Sequence, residues 1–83
     1  MKLNIKTVGS DCGYSYVDQD EFEGNGTTIE ELICEMNEWS MDEFEHRLKS
    51  GKWISGGILS KTIPSEGYKF QSDVCYVLYT LDQ

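Results

Sequence analysis

Residues Lys2 to Val8 alternate, with Leu3 and Ile5 on one face and Lys2, Asn4 and Lys6 on the other. That period of two predicts a strand with one wet side. Gly9-Ser10-Asp11 is turn chemistry, and Gly13 to Val17 reads as a short hairpin partner. Asp18 to Gly26 follows as an acidic, glycine-punctuated loop.

The period then changes to that of a helix. Thr28 and Glu31 form a capping box, and Ile29, Leu32, Ile33, Met36 and Trp39 recur at helical spacing. Ser40 and Glu43 form a second box, so one helix stops near Trp39 and another starts at once. Met41, Phe44 and Leu48 give the second helix a narrower apolar stripe. Arg47 and Lys49 suit the dipole of its last turn, and Gly51 suits its stop.

Lys52 to Ile63 reads as strand, with Gly56-Gly57 marking either a hairpin or a bulge. Pro64 to Gly67 is a turn, and Tyr68 to Leu81 is the last strand region. Val74, Tyr76 and Leu78 share one face of it, and Cys75, Val77, Tyr79 and Leu81 share the other, which predicts a central strand. The order β-β-α-α-β-β predicts a single α+β domain over residues 1–83, with two consecutive helices on one face of an antiparallel sheet. Trp39, Phe44, Trp53, Tyr76 and Tyr79 fall at core-like positions.

Charge changes the picture. The 83 residues carry 15 acids and 7 bases, a formal net charge of −8. Residues 11–45 hold twelve of those acids and no Lys or Arg. Such a chain is repelled by nucleic acid and by anionic membrane surfaces. Its apolar runs also fall far short of the roughly 20 residues of a membrane span. In the first helix Glu31, Glu35 and Glu38 form a stripe with Glu30 beside it. Asp18, Asp20, Glu21 and Glu23 precede the helix and Asp42 follows it. Crowded like charges oppose folding, and function is a common reason for such a departure. Carboxylates spaced about 5–6 Å apart along a helix approximate a row of phosphates. Tyr14, Tyr16 and Phe22, close to the acidic loop, are candidate aromatic anchors.

Catalytic and metal chemistry has less support. Cys12 and the lone His46 make a conceivable nucleophile and base, but neither flank is electropositive enough to lower a thiol pKa. The three cysteines and one histidine lack the close pairs of structural zinc sites. Asp18 to Gly24 misses the EF-hand template, because Phe22 stands where an oxygen ligand belongs. No catalytic residue, metal site or cofactor is therefore assigned. Three cysteines without a CxxC pair, behind an N-terminus that alternates rather than running apolar, indicate free thiols in a reducing cytosol.

In size, charge and compactness the chain resembles the small acidic phage-encoded inhibitors of bacterial defence, the anti-CRISPR and anti-restriction proteins. The resemblance implies a non-enzymatic inhibitor that occupies a basic nucleic-acid groove on a larger protein. The residues that the chain's own charge pattern nominates for such docking are Asp18, Asp20, Glu21, Glu23, Glu30, Glu31, Glu35, Glu38, Asp42, Tyr16 and Phe22. Two alternatives have their own rationale. One is an immunity or antitoxin protein neutralising a basic nuclease; the other is a small cation-binding regulatory module using the loop at 18–23.

Overall fold

A computed structural model describes residues 1–62 and 67–82. The chain runs β1 (Lys2–Asp11), β2 (Tyr14–Glu23), α1 (Ile29–Asn37), α2 (Met41–Ser50), β3 (Ile58–Lys61), β4 (Gly67–Gln71) and β5 (Cys75–Asp82). All pairings are antiparallel, in the order β2-β1-β5-β4-β3. The α+β class and the two consecutive helices match the sequence expectation, and β5 is the central strand. The turn expected at 64–67 lies mostly outside the described residues.

Two elements differ from the expectation, and one alternative left open is decided. Asp18 to Glu23 is not a loop: β2 continues through it, each residue opposite one of β1 from Thr7 back to Lys2. The pairing with β1, closed by a turn with Cys12 at φ 50° and Gly13 at φ 87°, outweighs the low strand propensity of the acids. The last region divides at Ser72 to Val74, where the Ser72 N–H donates to Cys75 O at 2.8 Å and the Cys75 N–H donates to Ser72 Oγ at 3.2 Å. The glycine pair resolves as a tight turn. Ile54 and Gly57 exchange backbone hydrogen bonds of 2.9 and 3.3 Å around Ser55 and Gly56, both at positive φ.

Both N-caps form. The Glu31 N–H donates to Thr28 Oγ1 at 3.2 Å and the Glu43 N–H donates to Ser40 Oγ at 3.1 Å. α1 ends at Glu38, left-handed at φ 59°, and α2 ends at Gly51, left-handed at φ 61°. The left-handed stop at Glu38 turns the chain directly into the cap of α2.

The helices cover one face of the sheet. Leu3 of β1, Leu59 of β3, Tyr68 of β4 and Tyr79 of β5 are buried beneath Leu32, Ile33 and Phe44. Phe44 packs edge-on against Tyr68 at 5.2 Å, and Trp39 against Phe70 at 5.5 Å. Such edge-to-face pairs add to area burial. Trp53, expected in the core, is half exposed in the segment before β3.

Arg47 is the largest departure inside the core. It does not lie on the surface but is 4% exposed, its guanidinium 4.3 Å from the Trp39 ring and 5.8 Å from that of Phe70. Its Nη1 donates to Ile54 O at 2.6 Å and its Nη2 lies 3.9 Å from Glu43, while Nε has no hydrogen-bond partner. A buried cation retained on aromatic faces ties α2 to the turn before β3.

Candidate acidic interface

The acidic residues nominated above separate into three groups once the chain is folded. Strand alternation sends Asp18 and Asp20 to the helix-covered side of the sheet, in register with Thr7 and Ile5. It sends Glu21 and Glu23 to the opposite side, where Glu21 lies 3.3 Å from Lys2 Nζ and Glu23 lies 3.8 Å from the N-terminal amine. The stretch at 18–23 therefore cannot wrap one ion, which removes the geometry that the cation-binding reading needs. Among the described residues no group of three or more His, Cys, Asp or Glu side chains converges as a metal site.

The second group is held by local structure. Glu30 is half-buried and accepts from the Tyr68 hydroxyl at 2.6 Å. Burial and the Glu30 carboxylate together push the Tyr68 pKa up to about 12. Glu31 accepts from the Thr27 and Thr28 hydroxyls at 3.0 and 3.2 Å, and these bonds lower its pKa by favouring the charged form. Glu35 accepts from the backbone N–H groups of Asn25 and Gly26 at 3.1 and 3.0 Å, closing the loop between β2 and α1. Each carboxylate still presents charge, but each is also held by a hydrogen bond within the chain.

The third group is exposed and, among the described residues, has no ion pair: Asp18, Asp20, Glu38 and Asp42. These lie with Glu31 and Glu35 on the helix side of the molecule. Phe22 is not available as an anchor, since it packs half-buried against the core beside Leu32. Tyr16 retains 37% exposure near the far end of the hairpin, on the helix side. Tyr14, at 78%, is the more exposed aromatic of that hairpin.

An open groove of about 500 Å³ runs along this surface, lined by Gly26, Glu31, Cys34, Glu35, Glu38 and Met41. Its one thiol is a poor nucleophile. Cys34 is buried, and burial, then the charges of Glu30, Glu31 and Glu43, raise its pKa. Cys12 and His46, the other conceivable catalytic pair, lie at the hairpin turn and on α2 with no hydrogen bond joining them. The arrangement provides negative charge over apolar side chains, the chemistry of a surface that receives cations. Among the described residues no helix is long and apolar enough to cross a membrane. No family model, curated protein or solved structure matches the chain.

Proposed function

We propose that the protein is a non-enzymatic inhibitor that docks its acidic helix side onto a basic nucleic-acid-binding surface of a larger protein, in the manner of an anti-CRISPR, and blocks nucleic-acid access. The observation that supports this reading is the segregation of charge across the sheet. α1 and the first turn of α2 present Glu30, Glu31, Glu35, Glu38, Asp42 and Glu43 without an intervening base, and the same side carries Asp18 and Asp20. Surfaces of merely soluble proteins intersperse both signs. Here the exposed carboxylates accelerate encounter with a cationic groove and set its orientation, while Met41 and Tyr16 supply apolar contact. The resemblance in size and charge supports a bacterial cytosolic setting for that action.

The test uses a quadruple variant Asp18→Asn, Asp20→Asn, Glu38→Gln and Asp42→Asn. It spares Glu31 and Glu35, whose carboxylates hold the cap and the loop. Wild-type protein immobilised in nuclease-treated bacterial lysate is expected to retain a basic nucleic-acid enzyme at low salt and release it at high salt. The variant, with unchanged circular dichroism, is expected to retain at least tenfold less. Equal retention by the variant would show the carboxylates to be a solvated face.

A further inference from the structure

Strand β2 is a free edge of the sheet, and we infer that it takes up an extended, Lys/Arg-bearing strand of another protein, added antiparallel beside it. Among the described strands only β1 pairs with β2, in an unbroken register from Asp11↔Tyr14 to Lys2↔Glu23. The two-residue turn of Cys12 and Gly13, both at positive φ, makes Asp11↔Tyr14 a hydrogen-bonded pair. Such pairs recur at every second residue, and the Gly24 N–H donating to Met1 O at 3.3 Å keeps the same phase. Ser15, Val17, Gln19, Glu21 and Glu23 therefore turn their N–H and C=O groups away from β1. The Glu21 N–H points the same way, since it donates to Asp20 Oδ1 at 2.8 Å and not to a strand.

Sheets commonly guard a long edge with proline, lysine, a bulge or a covering loop. The other edge, β3, is four residues long and ends on Lys61. By contrast β2 runs ten residues with no proline, lysine or bulge, and all of it except Phe22 is exposed. Its guard is charge of one sign, from Asp18, Asp20, Glu21 and Glu23. Glu21 and Glu23 are answered by Lys2 and the N-terminal amine, while Asp18 and Asp20 have no ion pair among the described residues. A guard of one sign is selective. The two fullest self-pairings of β2, centred on Asp18 or on Gln19, set Asp18 against its own counterpart or against Asp20 of a second copy. Such like-charge pairs oppose self-association, whereas a basic strand is attracted.

Register specifies the occupant. An antiparallel strand exchanges hydrogen bonds with Ser15, Val17 and Gln19 and lies about 4.8 Å from β2. Paired residues share a face, so its residues opposite Tyr16, Asp18 and Asp20 fall on the helix side of the sheet. A Lys or Arg opposite each aspartate and an apolar residue opposite Tyr16 complement that side. On the other side a β-branched residue covers Val17, which is 58% exposed. From its own N-terminus the occupant therefore reads basic, any residue, basic, β-branched, apolar. Backbone bonds supply the affinity of such an added strand, and the flanking side chains supply its specificity. The inference stands on the strand edge and holds whether or not the occupant's protein binds nucleic acid.

The probe is a fluorescein-labelled peptide, Ser-Lys-Thr-Arg-Val-Tyr-Thr-Ser, titrated with the full chain and followed by fluorescence anisotropy. Its dissociation constant at low salt is expected below about 100 μM. The same peptide N-methylated at its first Thr and its Val keeps the charge but loses two backbone donors. It is expected to bind at least about tenfold more weakly. Val17→Pro removes an N–H that points away from β1, so it is expected to weaken the unmethylated peptide about tenfold with unchanged circular dichroism. Should that variant unfold, the methylated peptide tests the same bonds on the wild-type chain. Asp18→Lys with Asp20→Lys is expected to lose this peptide and to bind one carrying Glu in place of its Lys and Arg. Equal binding of the methylated and unmethylated peptides would reduce the effect to charge attraction and overturn strand pairing. Absence of binding at about 1 mM peptide would overturn it too. So would a wild-type chain that sediments as a dimer at about 100 μM and becomes monomeric with Val17→Pro, because the edge would then belong to a second copy.

Discussion

The two faces of one sheet are built from the same strands yet obey different rules. Beneath the helices lie Leu3, Leu59, Tyr68 and Tyr79, nearly sealed from water; opposite them lie Lys6, exposed, and Val8, Lys69, Tyr76 and Leu78, each only partly covered. The covered face is satisfied within the chain. The open face mixes lysine and valine, a composition too polar for an internal core and too apolar for a face meant only for water. The difference teaches that the charge of this protein has a direction, with excess acid on the helix side and near balance on the other.

The sharpest test of that contrast is a pair of truncations measured by urea unfolding of dilute protein. Phe44→Ala, on the covered side, is expected to cost about 3–5 kcal/mol, and Val17→Ala, on the open side, under ~0.5 kcal/mol. Comparable losses would erase the distinction between the faces. Next in size is Arg47→Ala. Loss of the aromatic stacking and of the bond to Ile54 O is expected to cost about 2–3 kcal/mol. Arg47→Lys should recover less than about half of this, because an ammonium lacks the planar fork.

The pair Tyr68–Glu30 gives a pH signature. The folded-state pKa of Tyr68, about 12, lies above the ordinary tyrosine value of 10. The folded state therefore keeps a proton that the unfolded chain releases. The resulting stability is complete below pH 10 and is lost as pH rises through about 12. A decline on the order of 2 kcal/mol is expected across that window. Tyr68→Phe should flatten it in part, the remainder belonging to Tyr79, whose pKa burial also raises. An unaltered alkaline decline in that variant would assign the titration elsewhere.

The smallest expected effect is a gain. Glu38 stops α1 in the left-handed region, where glycine carries no side-chain penalty. Glu38→Gly is expected to raise stability by about 0.5–1 kcal/mol in the same urea experiment. It also removes one exposed carboxylate from the proposed docking side, so it is expected to weaken low-salt retention of the partner while stabilising the fold. A loss of stability would mean that the Glu38 side chain does more than occupy the turn.

Much of the architecture was legible because its signals are local. A capping box acts within four residues, and both helix starts fall where Thr28 and Ser40 predict them. Strand β2 was not legible past Val17, since acids have low strand propensity and only the register with β1 holds them extended. The same long-range effect divided the acidic cluster. Glu21 and Glu23 crossed to the lysine side, Phe22 turned into the core, and Glu30 found a tyrosine 38 residues away. Arg47 at a helix C-terminus reads as a surface charge, and nothing nearby in sequence announces that Trp39 and Phe70 will enclose it.

By itself the sequence determined the α+β class, the two helix starts, the glycine stop of α2 and the concentration of acid in residues 11–45. Each depends on neighbouring residues or on composition, which no folding step can alter. Only the tertiary structure decided which carboxylates share a side, which aromatics are exposed and which cation is buried. Those outcomes depend on strand register, where a shift of one residue exchanges the two faces of the sheet.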